Sequence, residues 1–81
     1  MENISIYDNG GKTLDRITVI FNDRKRVTKD GILYECIASS ETGSGFYQHS
    51  EGMKGRHLGK KIDFSKLSLP LQNKLLIELN N

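Results

Sequence analysis

The chain has 81 residues, with twelve Lys and Arg against ten Asp and Glu, for a formal net charge of +2. That length supports one core, and a chain this short buries only about 60–65% of its unfolded surface, so a partner, a ligand or self-association is a reasonable source of added stability. A lone cysteine, Cys36, excludes an intrachain disulfide and fits a reducing compartment, while the lack of a leader-like start or a membrane-length apolar run predicts a cytoplasmic domain without membrane contact.

Residues 3–7 alternate, with Ile4 and Ile6 on one side, which predicts a half-buried strand. Asp8-Asn9-Gly10-Gly11 then supplies residues that tolerate positive φ, so the chain turns. Residues 16–21 form the strongest strand signal, with Ile17, Val19 and Phe21 facing together, and a hairpin between the two strands is the simplest topology. The charged stretch 22–30 is predicted to be a connection. Asp30-Gly31 turns into a strand over 32–38 that is apolar on both faces, which predicts a covered, interior position with the C-terminal helix as the available cover.

Five of the eight glycines fall in 39–59, a stretch predicted to be irregular with at most a short strand, and long irregular stretches in small domains often carry function. Residues 60–64 suit an edge strand with Ile62 and Phe64 inward. Ser68 fits a helix N-cap with Pro70 in the first turn. Leu71, Leu75 and Leu79 then repeat every fourth residue, Leu76 widens the stripe and Ile77 points away, giving a helix of about three turns. The predicted fold is α+β: a single domain, 1–81, in which a small antiparallel sheet of about three to five strands packs against one C-terminal helix.

Charge is uneven along the chain. The first 23 residues carry net −2, whereas 54–66 hold Lys54, Arg56, Lys60, Lys61 and Lys66 against Asp63, net +4. Such a cluster attracts phosphate or carboxylate groups despite the modest total, although lysines at turns and edges are also ordinary solvated residues. In the turn, Asp8 and Asp15 flank Gly10-Gly11, whose amides suit an anion, and the two carboxylates can share a cation or hold Arg16; capping of the turn by Asp8 and Asn9 is the plainer alternative. Histidine side chains ordinarily titrate near neutrality, so His49 and His57 in one hollow would serve as general base and acid beside Arg56 or Lys60. Tyr47 and Gln48 adjoin them. Each histidine bonding within its own loop is the competing reading, and no metal-ligand spacing or cofactor motif stands out.

The strings Asp8-Asn9-Gly10-Gly11, Asp15-Arg16, Gln48-His49 and His57-Leu58-Gly59-Lys60 resemble those of a family of small bacterial and phage proteins. The resemblance implies a phage or mobile-element setting and an accessory role against a host system, and it carries no catalytic role with it. The reading from the residues is a small module that binds an anionic or phosphate-containing partner, such as a nucleotide or nucleic acid, through Asp8, Asn9, Gly10, Gly11, Asp15, Arg16, Tyr47, Gln48, Arg56, Lys60 and Lys61. Metal-independent phosphodiester hydrolysis by His49 and His57 is the enzyme alternative. Inhibition of a host protein through the helix or a sheet edge is the third, and a monomer or homodimer fits each.

Overall fold

Alternation in paired strands puts side chains at facing positions on the same side of a sheet, and here it assembles the core directly. A computed structural model describes residues 3–40, 45, 46 and 49–80. Strands β1 (Ile4–Asp8), β2 (Ile17–Thr28), β3 (Gly31–Ser39), β4 (Ser50–Gly52) and β5 (Lys60–Ile62) form one antiparallel sheet in the order β4-β3-β2-β1-β5. Ile4 faces Phe21, Ile6 faces Val19, and Val19 faces Ile37, so one face is a continuous apolar surface. Helix α1 (Leu69–Leu79) covers it with Leu71 and Leu75, and Ile62, Phe64 and Phe46 close its margins.

Ser68 caps α1 as predicted, its hydroxyl accepting the Leu71 amide at 3.4 Å. Leu76 departs from the predicted stripe: at 43% exposed it sits with Leu69 and Ile77 on the outer side of the helix. Leu71, Leu75 and Leu79 span the width of the apolar face, which leaves no surface for Leu76 to bury against.

Two other expectations need correction. The charged stretch after Phe21 is not a loop, because β2 runs on to Thr28. Between Phe21 and Lys25 the register with β3 shifts, and Asn22 secures the irregularity to β1 by donating to Ser5 and Asn3 through its side chain, while its amide donates to the Asn3 carbonyl. Beyond that point β2 is exposed, and ion pairs reach across the sheet from Arg24 to Glu35 of β3 and from Arg26 past β3 to Glu51 of β4. The hairpin closes through Lys29 and Asp30, with the positive φ of 136° taken by Gly31.

The second correction concerns cover. Ile20 and Cys36 lie on the face away from α1, and they are buried by Leu58, with Tyr7 and Tyr34 packed alongside. Leu58 ends a 3-10 turn, Arg56–Leu58, that crosses this face as a strap. Gly59 follows at φ 88°, and a Cβ there would collide with the backbone of Asp8 and Asn9. Only glycine allows the strap to dock so closely on the end of β1.

The two covers differ in what they bury, and this sets a measurable ranking. Leu75 is fully buried, so Leu75→Ala should cost about 2–5 kcal/mol, most or all of the stability of a domain this small, whereas Leu76→Ala should cost under about 1 kcal/mol. Urea unfolding followed by circular dichroism checks the ranking, and similar midpoints for the two variants would contradict it.

Candidate functional site

The Asp8–Arg16 turn is organised by its own side chains. Asn9, 9% exposed, accepts the Gly11 and Lys12 amides through Oδ1 at 2.9 and 3.1 Å, and donates through Nδ2 to Thr13 Oγ1 and the Asp15 carbonyl at 2.8 and 3.1 Å. Asp8 Oδ1 accepts both the Gly10 amide and Arg16 Nε at 2.8 Å. The expected anion cradle is therefore filled from within: the amides of Gly10, Gly11 and Lys12 already point at Asn9 and Asp8. Short acceptor side chains folding back on the next two or three amides are the usual behaviour of Asp and Asn in turns. The guanidinium of Arg16 holds the Asp8 carboxyl below the ordinary carboxylate range, against the opposing effect of burial and with help from the Gly10 amide.

His49 lies on the α1 side of the sheet. Its Nδ1 is 3.2 Å from Glu35 of β3 and its Nε2 is 3.2 Å from Glu78 of α1, with the ring stacked on Phe21 at 5.9 Å between centroids. Arg24 reaches the same Glu35 at 2.6 Å and lies over Phe21, while Arg26 forms a two-pronged pair with Glu51 at 2.9 Å on each arm. Glu35 is held below the ordinary carboxylate range first by its bond from Arg24 and, less strongly, by His49; Glu51 is lowered by Arg26. The two arginines of this hairpin surface are thus neutralised within it, while Lys25 beside them has no ion pair among the described residues.

His57 belongs to the strap on the opposite face, where it lines a cavity with Thr18, Ile20 and Cys36. The two histidines do not share a hollow. The sheet lies between them, because odd and even positions of β2 project to opposite faces: Phe21 carries His49, whereas Ile20 lies beneath the strap.

Lys60 and Lys61 occur on edge strand β5, where they meet Lys66, Asp8 and Asp63 around an open cleft of about 570 Å³. Lys54 sits 4.7 Å above the Tyr34 ring, and Arg56 is exposed on the strap. Of the predicted binding residues, the structure thus joins Asp8 to Lys60 and Lys61, places Asn9, Gly10, Gly11, Asp15 and Arg16 in the adjoining turn, and separates His49 from all of them. Tyr47 and Gln48 lie outside the described residues.

Lys66 enters the cleft because the 3-10 turn Phe64–Lys66 brings the chain back beside β5; in sequence it reads only as part of a charge run. Glu35 and Glu78 gave one weak signal, acids set within apolar periodic segments. Among the described residues no group of three or more His, Cys, Asp or Glu side chains is arranged to hold a metal, and no helix is long and apolar enough to cross a membrane. No family model, curated protein or solved structure matches the chain.

Because the Asp8 side chain is only 24% exposed, its bonds should contribute measurably to stability. A carboxyl whose folded value lies below its ordinary 3.8 stabilises fully above that value and loses the contribution as pH falls through the lowered one. Asp8→Asn should therefore cost about 1 kcal/mol at pH 7 and progressively less as the solution is acidified below pH 3.8. Thermal melts of both proteins across that range measure the difference, and a gap that widens on acidification would refute the assignment.

Proposed function

We propose that the chain is a small binding module that holds an anionic, phosphate-bearing partner on the segment 54–66, centred on Lys60, Lys61 and Lys66. The observation that supports this reading is a division among the cations. Arg16, Arg24 and Arg26 are each bonded to a carboxylate, whereas the other nine cations have no ion pair among the described residues, and five of those nine, Lys54, Arg56, Lys60, Lys61 and Lys66, fall in this one segment while Lys12, Lys25, Lys29 and Lys74 are scattered. Unpaired ammonium groups on an edge strand and its flanking turns offer mobile point charges without a fixed fork, which suits phosphates of a flexible partner. The turn of Asp8 and Asn9 is a rigid support for that edge in this reading, not a ligand cradle.

A hydrolase that uses both imidazoles draws no support from histidines on opposite faces. Nucleic acid is the natural polymeric partner for such a surface. The phage or mobile-element setting and any action on a host system rest on the resemblance of short motifs alone.

The reading is tested with a fluorescein-labelled single-stranded oligonucleotide of about 12 residues, followed by anisotropy at 50 and 200 mM salt. Binding should weaken at least about tenfold across that salt range, and again at least about tenfold at 50 mM salt in the triple variant Lys60→Glu, Lys61→Glu, Lys66→Glu. His49→Ala should bind within about twofold of the parent, since its partners are carboxylates of the protein. No binding at 50 mM salt, or a triple variant as tight as the parent, would overturn the proposal.

A further inference from the structure

The face of the sheet away from α1 is covered incompletely. Beneath the strap lies a cavity of about 280 Å³, with Thr18, Ile20, Cys36 and Ala38 as its floor and Leu58 above. Three features set it apart from the other clefts. No lysine or arginine lines it, whereas the cleft along the β2–β3 hairpin holds Arg24, Lys25 and Arg26 and the β5 cleft holds three lysines. Asp15 stands at its rim with a carboxylate that has no ion pair among the described residues.

The third feature is Thr18. It is 9% exposed, its side chain forms no hydrogen bond to the described residues, and alternation with Ile20 aims it into the cavity. Among its polar neighbours, Asn9 holds the turn and Ser50 Oγ and Cys36 Sγ are 3.5 Å apart, while the Asp15 carboxylate and the His57 ring, which also line the cavity, form no side-chain hydrogen bond among the described residues. Among the described residues no side-chain polar atom sealed from solvent lacks a partner, so the Thr18 hydroxyl is reached by solvent, and Thr18 lines this cavity. An unbonded hydroxyl on a nine-tenths-buried threonine, over an apolar floor and beside a carboxylate without an ion pair, is how small-ligand sites fix orientation.

We infer that this cavity is a binding site for a compact ligand consisting of one apolar ring and a positively charged, hydrogen-bond-donating end. The ring lies over Ala38 and Gly52 at the edge of the packed Ile20–Leu58 contact, and the donor end turns toward Thr18 and Asp15. At about 280 Å³ the space lies just below the usual ligand-pocket range of about 300–1,000 Å³, so it admits a single ring with a short substituent and excludes a nucleotide. The site is independent of the lysine surface and prefers the opposite charge.

Benzylamine and its neutral analogue benzyl alcohol are suitable probes, read by amide chemical shifts and by the alkylation rate of Cys36, the chain's one cysteine. Benzylamine should shift the amides of Thr18, Ile20, Cys36 and Ala38, slow alkylation by iodoacetamide, and bind at least about fivefold more tightly than benzyl alcohol. Asp15→Asn should abolish that preference, and Thr18→Val should weaken both probes. A Cβ at Gly52 would stand 3.8 Å from Cys36 Sγ, an ordinary contact, so the longer side chain of Gly52→Leu extends into the cavity and should abolish binding. Absence of shifts at 10 mM benzylamine, equal affinity for the two probes, or shifts that survive both Gly52→Leu and Thr18→Val would overturn the inference.

Discussion

Five consecutive residues of β2, Ile17 to Phe21, are buried, and a strand buried on both faces needs two covers. Among the described residues only one α-helix, α1, is available. The second cover is a strap whose apolar content is essentially Leu58, held by the close approach of Gly59 to Asp8 and Asn9. The Asn9-centred turn, the placement of β5 and the exposure of the basic segment all follow from that docking, since the strap leads directly into Lys60 and Lys61. A cover with one large side chain also leaves space beneath it, which is why a cavity occurs on this face and a packed layer on the other.

Charge is distributed by the same geometry. Where β2 runs on past Phe21, Arg24 in the register irregularity reaches Glu35 of β3 and Arg26 reaches past β3 to Glu51 of β4, and their planar forks hold them there. Lys60, Lys61 and Lys66 lie at the opposite edge of the sheet, where Asp8, already engaged by Arg16, and Asp63 line the same cleft. One edge of the molecule is thus neutralised internally and the other is left with a positive surface, although the whole chain carries only +2.

The fold was largely legible because it rests on periodicity. Alternation at Ile4, Ile6, Ile17, Val19 and Phe21, and the four-residue repeat of Leu71, Leu75 and Leu79, identify the α1-facing layer without reference to contacts. The continuation of β2 through Asn22 to Thr28 was illegible for a physical reason: its stabilising pairs are ionic and cross-strand, and such pairing has no signature along a single strand. Leu58 could not be recognised as a cover because one apolar residue among glycines has no period.

The site was less legible than the fold. Asn9, Gly10 and Gly11 signalled a turn correctly, yet the same residues suit an anion cradle, and only the hydrogen bonds of Asn9 and Asp8 distinguish the two. For the histidines, the seven intervening positions contain the short strand β4 and the start of the strap, so proximity in sequence became separation by a sheet. Lys60 and Lys61 were legible as charge, but their convergence with Lys66 depends on a 3-10 turn that leaves no pattern.

Native-state hydrogen exchange along β2 is the most direct test of the doubly covered strand. The expected result is that amides of Val19 and Ile20 exchange only through global unfolding, while those of Arg24 to Thr28 exchange through local opening of the hairpin. Exchange at Val19 and Ile20 as fast as at the hairpin tip would contradict it, since the strap would then leave that face open.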